Sequence, residues 1–479
     1  MPFLDQLNHW ARQQPGAPAI EVGAERLSYA GLAARAGDAL SDGDGIGILS
    51  LPNSIEFVVA FAAGIAEDRA VAVLDPGWPA AQQDLVRERL AAAGPAGRPG
   101  VAALVDGDPD SVFLYGFTSG TTALPKAFTR TRRSWQRSFE VGVDYFGLDR
   151  HDRTLAPGPL SSSLTLYTLA ESLHAGATFV TLPEFDLAAA LACVADRGIT
   201  RLVVVPTVLR MLTERGLAGG VNGLSLTSII TAGARLDPET RSAARRFAPN
   251  ATIHEYYGAA ELSFVAASTL RPGEVTSTDP TNTDPTNTDP TAVGRAFPGV
   301  SLAIRDEAGQ DLPAGEPGLI FVRSSLVSNG YAWGDDGEAF RRDGDWCTVG
   351  DLGFLDGDDA LHFLNRRADM IVTAGQNVYP QEVEAALRSL PGVASVIAVG
   401  VPDAWRGSRV VVAVLGDPAS SGADAGLFRR TAAAALSEAK RPRAYYRLTA
   451  LPLAPTGKIS RRLLAAWITE GDARVTALD

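Results

Sequence analysis

Short apolar runs alternate with amphipathic stretches through the first two thirds of the chain. Residues 3–13 and 29–40 repeat apolar positions with a helical period. Residues 46–49 read as a strand, 54–66 as the helix after it, and 70–74 as a strand stopped by Asp75-Pro76-Gly77. The pattern returns at 112–115, 202–205, 228–231 and 253–257, and Pro206 opens a helix that runs to about Arg215. Strands alternating with helices predict an α/β fold whose sheets are rich in parallel strands and covered on both faces. In such sheets ligands gather beyond the carboxyl ends of the strands. That rule singles out the loops after Tyr115, Val205, Thr231 and Tyr256.

The pattern then changes. Residues 278–291 repeat Thr-Asp-Pro-Thr-Asn, with Asn282 and Asn287 at matching places, and three Asp-Pro steps exclude a continuous helix or central strand. A surface excursion without chemistry is the expectation. A polar turn over 355–359 sits in a hairpin ending near Leu364. Beyond it the chain restarts as a compact α+β unit. That unit has a strand at 370–372, a helix opened by Pro380 and strands at 393–401 and 409–415. A linker over 417–426 and a helix through Ala439 follow. The boundary falls near Asn365-Arg366, giving a large N-terminal domain over 1–365 and a small C-terminal domain over 366–479.

Composition narrows the class. The 479 residues are 46% apolar and 20% charged, ordinary for a globular chain. A net charge of −12 argues against nucleic-acid or anionic-membrane partners. Two cysteines, Cys193 and Cys347, without metal-ligand spacing fit a reducing cytoplasm. The N-terminus has no basic segment before an apolar core, and the longest apolar stretch, 57–65, is too short to span a bilayer. A cytoplasmic protein with no membrane span is expected.

The densest candidate chemistry is Phe117-Thr118-Ser119-Gly120-Thr121-Thr122-Ala123-Leu124-Pro125-Lys126, directly after the apolar run 112–115. Four hydroxyls, a glycine and a nearby lysine suit a polyphosphate, because backbone N–H groups, hydroxyls and a cation can converge on one anion. The segment lacks the Gly-x-x-x-x-Gly-Lys-Ser/Thr pattern and the Gly-x-Ser-x-Gly elbow. Taken alone, a Ser/Thr/Gly cluster reads better as a polar surface turn. Tyr256-Tyr257-Gly258-Ala259-Ala260-Glu261 adds an aromatic pair and a carboxylate fit for Mg²⁺ beside phosphates. Gly350-Asp351 offers a carboxylate for a diol, and Pro455-Thr456-Gly457-Lys458 places a lysine on a flexible turn.

In this order the motifs resemble the acyl-adenylate-forming superfamily of acyl-CoA synthetases, adenylation domains and luciferases. The matching segments are 118–126, 257–261, 350–351, 365–369, 375–384 and 455–461, and the likeness covers nearly the whole chain. The resemblance implies a carboxylate joined to ATP as acyl-AMP, with pyrophosphate released, and then a thiol displacing AMP. It implies that Thr118, Ser119, Gly120, Thr121, Thr122 and Lys126 hold the β- and γ-phosphates, and that Glu261 holds Mg²⁺. It places Tyr257 and Gly258 at the adenine against the Gly233-Ala234-Arg235 turn, and Asp351 and Arg366 at the ribose. Lys458 is the implied catalytic lysine bridging carboxylate and α-phosphate, and Glu261 serves catalysis with it. Ala368 stands at the hinge about which the small domain rotates, and Ala374 and Gly375 line a pantetheine tunnel.

Four positions depart from the family pattern. Ala123 replaces a glycine, Ala260 a threonine and Ala368 the hinge aspartate, while Pro159-Leu160-Ser161-Ser162-Ser163 carries no histidine or aromatic gate. Two of these, Ala123 and Ala260, touch groups that serve ATP. Three functions therefore stand: a complete ATP-dependent acyl-CoA ligase; an enzyme weak in adenylation that converts acyl-AMP supplied by a separate adenylating enzyme; and a non-catalytic acyl-nucleotide binder. The acceptor thiol is coenzyme A or a carrier-protein arm. With only about twenty residues after Lys458, no fused carrier domain is expected, which favours free coenzyme A. Arg406, Lys440 and Arg441 are candidates for its phosphates. The acid is expected to lie among Ser161, Ser162, Ser163, Val205, Pro206, Thr207, Ala232, Ala259 and Ala260. Small and apolar walls imply a hydrophobic carboxylic acid. None of the five histidines stands in a triad motif.

Overall fold

The computed structural model describes residues 3–40, 46–93, 103–118, 125–274, 291–335, 337, 340–366, 370–373, 376–388, 390, 392–403, 405–416, 425–454 and 458–478. Ser119, Gly120, Thr121, Thr122, Ala123, Ala368, Ala374 and Gly375 lie outside the described residues, as do 278–290 of the Asp-Pro repeat and 417–424 of the small-domain linker.

The fold is α/β, built on three sheets. In the largest, Pro18–Val22, Thr178–Thr181, Arg153–Leu155, Arg201–Val204, Ser228–Ala232 and Thr252–Ala259 are successive parallel neighbours. Ser263–Leu270 then pairs antiparallel, and the remaining strands on that side continue antiparallel. The sheet is therefore mixed, parallel only where helices connect the strands.

Alternate residues of the parallel block feed two cores. Val203 and Ile230 face a core shared with Phe139, Phe264 and the helices Arg132–Phe146 and Ser163–Ala175. Leu202, Val204 and Ile229 face the helices Leu187–Asp196, Pro206–Ala218 and Pro238–Phe247. Burial on both sides explains why these strands read as unbroken apolar runs.

The second sheet orders Gly330–Trp333, Lys126–Thr131, Val112–Thr118, Val71–Val73 and Gly47–Leu49. Two expectations change here and nearby. The strand expected over 112–115 runs on to Thr118 and pairs antiparallel with Lys126–Thr131. Likewise the strand expected to stop at Tyr257 reaches Ala259, held by the antiparallel Ser263–Leu270 partner across an irregular register at Tyr257/Gly258.

The third sheet belongs to the C-terminal part: Gln376–Val378, Ile371–Thr373, Gly407–Gly416, Ala444–Leu448 and Val475–Leu478, with Val393–Asp403 beside Gly407–Gly416. Its helix ends at Ala435, short of the expected Ala439. Arg441 donates to the carbonyls of Ala433 and Leu436, satisfying acceptors that a longer helix would have used.

Candidate functional site

The hydroxyl hairpin brings Thr118 and Lys126 face to face as register partners at its mouth. The neighbouring strand Gly330–Trp333 pairs with Lys126–Thr131 and delivers Tyr331 to the same place. The Tyr331 hydroxyl lies 3.2 Å from Thr118 Oγ1 and donates to Glu261 Oε1. Lys126 Nζ stands 5.8 Å from the centre of the Tyr331 ring. Burial, helped by the Glu261 carboxylate, holds the Tyr331 phenol far above its usual range, so it stays a proton donor. Trp333 Nε1 reaches back to the Pro125 carbonyl at 3.1 Å and fixes the other side of the loop. Tyr331 carried no spacing signal in the sequence, since a lone Gly-Tyr pair is common in turns.

Glu261 sits in the turn between Thr252–Ala259 and Ser263–Leu270. A Cβ on Gly258 would run into the Ser263 carbonyl, so this crossing needs glycine. From behind, the buried Arg130 guanidinium donates to the Ala260 carbonyl at 2.6 Å and to the Leu326 carbonyl. Burial lowers the Arg130 pKa to about 10, and Glu261 works in the opposite direction. The Ser328 N–H holds the Glu261 carbonyl at 2.7 Å. Turn and carboxylate are thus anchored from three sides.

On the far side of Glu261, the Tyr257 hydroxyl donates to Asp351 Oδ2 at 2.5 Å and the Tyr257 ring packs on Phe363 at 5.2 Å. Asp351 is buried, and its register partner Arg366 approaches its other oxygen at 3.3 Å. Asp351 and Arg366 therefore arrive already paired with each other and with Tyr257. Arg235 donates to the Ala292 carbonyl, while Ala234 continues the turn begun by Gly233.

Lys458 comes from the C-terminal part yet lies against Gly233 of the large sheet. Gly233 has φ +87°, and a Cβ there would meet Lys458 Cε at 2.5 Å and Nζ at 2.7 Å. The residue as a whole is exposed, but its ammonium lies among protein atoms. Desolvation there lowers its pKa; Arg366 lowers it further and Glu261 opposes them. Lys458, Glu261 and Arg366 are thus near enough to act on one another. The large and small parts meet at one cluster containing Thr118, Lys126, Tyr331, Glu261, Tyr257, Asp351 and Arg366.

The expected acyl wall gathers along one edge of the parallel block. Val205, Pro206 and Thr207 follow Arg201–Val204, with Pro206 at the start of Pro206–Ala218. Ala232 ends Ser228–Ala232, and Ala259 and Ala260 end the next strand. Ser161, Ser162 and Ser163 lead into Ser163–Ala175, where Ser162 is committed to capping through the Thr165 N–H. Asn53 pins the turn before them, accepting from Leu160 N at 2.7 Å and donating to the Gly158 carbonyl at 3.0 Å. Two of the three basic candidates for the coenzyme phosphates are otherwise engaged: Lys440 pairs with Glu382 at 2.7 Å, and Arg441 caps its helix.

Among the described residues no group of three His, Cys, Asp or Glu side chains could hold a metal, and no helix is long and apolar enough to cross a membrane. Glu261 accepts from the Tyr331 hydroxyl through Oε1, which leaves Oε2 for another ligand. A single hard oxygen fits a divalent ion that takes its other ligands from phosphates and water.

The chain matches the AMP-binding enzyme family over residues 83–332 and the AMP-binding enzyme C-terminal domain over residues 382–458. It is 33% identical over 365 residues to an uncharacterized acyl-CoA ligase, YhfT, of Bacillus subtilis, covering 76% of this chain and 70% of that one. It is 32% identical over 359 residues to the indoleacetate-CoA ligase of Aromatoleum aromaticum, covering 74% and 66%. Its fold is similar to that of ATP-bound MatB from Rhodopseudomonas palustris, with TM-score 0.79 and 24% identity over 97% of this chain and 99% of that one.

Proposed function

Because the chain belongs to the AMP-binding enzyme family, we propose that it is an acyl-CoA ligase, forming an acyl-AMP from ATP and passing the acyl group to coenzyme A. One observation carries this reading: the ammonium of Lys458 enters beside Gly233, in electrostatic contact with Glu261 and Arg366.

In the first step a carboxylate oxygen attacks the α-phosphorus and pyrophosphate leaves. Negative charge builds between the two reactants, and Lys458 is placed to offset it. Thr118, Ser119, Gly120, Thr121, Thr122 and Lys126 hold the leaving phosphates. Tyr257, with the Gly233-Ala234-Arg235 turn, holds the adenine, and Asp351 with Arg366 the ribose. Glu261 supplies one oxygen to Mg²⁺, which would neutralise phosphate charge when bound. In the second step the thiol sulfur attacks the acyl carbonyl and AMP leaves. Withdrawal of Lys458 about a hinge at Ala368, between domains 1–365 and 366–479, frees the route past Gly375. The enzyme works in the cytoplasm, and its acid is hydrophobic, in keeping with the small and apolar wall. The name of the Aromatoleum relative, an indoleacetate-CoA ligase, supports that choice.

The test is a panel of carboxylic acids with ATP, Mg²⁺ and coenzyme A. Pyrophosphate release that requires both ATP and acid, followed by acyl-CoA detected by mass spectrometry, is the expected result. No pyrophosphate and no thioester with any acid contradicts the proposal.

Ala260 favours a second reading. The position lacks the hydroxyl of the family pattern, and its carbonyl is taken by Arg130. Losing one charge-assisted hydrogen bond costs about 1.5–3 kcal/mol, one to two decades of rate if felt in the transition state. An enzyme so weakened makes acyl-CoA from supplied acyl-AMP with negligible pyrophosphate exchange. Robust exchange with any acid rejects it.

A further inference from the structure

Arg130 stands on the strand Lys126–Thr131 with only 3% of its surface exposed. Its guanidinium spends both terminal nitrogens on main-chain carbonyls, Nη2 on Ala260 at 2.6 Å and Nη1 on Leu326. A buried cation held by neutral acceptors is costly to desolvate. What it holds explains its presence. Ala260 precedes Glu261, and Leu326 lies two residues before Ser328, whose N–H donates to the Glu261 carbonyl at 2.7 Å. The Ser328 carbonyl is held in turn by Arg342 Nη2 at 2.6 Å. A closed circuit results: from Arg130 to Ala260, along the chain to Glu261, across to Ser328, and back through Leu326 to Arg130.

The circuit acts on the backbone of one residue. The Ala260 carbonyl belongs to the peptide group before the Glu261 Cα, and the Glu261 carbonyl to the group after it. Each peptide group is planar, so holding both carbonyls fixes both backbone dihedrals of Glu261 and the direction in which its side chain leaves. The turn needs such support. The Leu262 N–H closes it on the Ala259 carbonyl at 3.0 Å, and Ser263 at its end has φ +64°, a left-handed conformation that serine adopts at a cost. Backbone strain of this kind persists only where the surroundings over-determine it. Tyr331 constrains Glu261 at its carboxylate; Arg130 constrains it at its main chain.

We infer that Arg130 is a positioning residue for the metal carboxylate: it fixes the main chain on the amino side of Glu261 and so aims that carboxylate at the divalent ion bound with ATP. The inference rests on the acyl-CoA ligase reading and adds to its machinery a residue that acts through Glu261. Charge and constraint pull in opposite directions here. A cation behind Glu261 repels a divalent ion, so loss of the charge alone strengthens metal binding. Loss of the constraint weakens it, because the carboxylate is no longer held in the geometry the ion needs. The sign of the effect therefore separates the two.

The experiment is titration calorimetry of ATP, once with Mg²⁺ and once with EDTA, so that the quantity read is the factor by which Mg²⁺ strengthens binding. It is measured for the wild type, Arg130→Met, Arg130→Lys and Glu261→Gln, and for each Arg130 substitution combined with Glu261→Gln. In Arg130→Met the Mg²⁺ factor is expected to fall about tenfold, the size of one charge-assisted hydrogen bond, with affinity in EDTA within about threefold of the wild type. Arg130→Lys keeps the charge but cannot span both carbonyls, and its factor is expected to fall nearly as far. In the Glu261→Gln background either substitution should change the factor by less than about twofold, because positioning acts only through the carboxylate. Should Arg130→Met not fold, Arg130→Lys carries the same comparison. A factor that is unchanged or larger, full recovery in Arg130→Lys, or an equal loss in the Glu261→Gln background overturns the inference and leaves the ligase reading standing. If the wild type binds no ATP under either condition, the adenylate site itself is refuted and the inference falls with it.

Discussion

At the scale of single residues, Tyr331 shows how the site is held. Its hydroxyl joins Thr118, at the base of the hydroxyl-rich segment, to the Glu261 carboxylate, so one phenol sets the spacing of two groups proposed to serve opposite ends of the same polyphosphate. Tyr331→Phe removes that link and leaves the ring under Lys126. The expected outcome is a requirement for about tenfold to a hundredfold more Mg²⁺ at half-maximal pyrophosphate release, the size of one lost hydrogen bond to a charged group, with affinity for the acid unchanged. An unaltered Mg²⁺ titration would show that Glu261 needs no such support. Tyr331 was illegible in the sequence because its partners are 213 and 70 residues away. Lys126, Glu261, Asp351 and Lys458 were legible because each stands in a short motif whose local spacing is itself the signal. Arg130 was hidden for another reason: a guanidinium amid apolar residues reads as a strand's exposed edge until its buried carbonyl acceptors are seen.

At the scale of elements, the parallel strands could be read from their apolar runs, whereas their antiparallel extensions could not. Tyr257, Gly258 and Ala259 are only half-buried, so the period that marks a strand fades where Ser263–Leu270 pairs with them. The same strand carries His254 into the interior, with Nδ1 3.2 Å from Thr269 Oγ1. Burial, with Arg201 and Arg271 adding to it, lowers the imidazole pKa from 6.5 to about 4. The folded-state pKa lies below the unfolded one, so the unfolded chain takes up a proton first. This residue's contribution to stability is fully present above about pH 6.5 and is lost as the pH falls toward 4. A shift of that size corresponds to about 3 kcal/mol. Thermal unfolding across that window should fall less steeply for His254→Gln than for the wild type. Parallel pH profiles for the two would remove His254 from the acid sensitivity of the fold.

At the scale of the whole molecule, two parts of the chain meet at the site. The large sheet supplies Gly233, Tyr257, Glu261, Asp351 and Arg366, the hairpin sheet supplies Thr118, Lys126 and Tyr331, and the C-terminal part brings Lys458 to them. Local motifs mark every member of this cluster except Tyr331, but not its closure, because closure depends on a contact between Lys458 and Gly233 that no local pattern encodes. If Lys458 serves only the adenylation half of the reaction, Lys458→Ala separates the two halves. Pyrophosphate exchange and thioester formation from synthetic acyl-AMP plus coenzyme A are measured side by side in the variant and the wild type. Exchange is expected to fall by about a hundredfold to a thousandfold while thioester formation stays near the wild-type rate. Exchange that survives the substitution, or thioester formation that falls as far as exchange does, would contradict it.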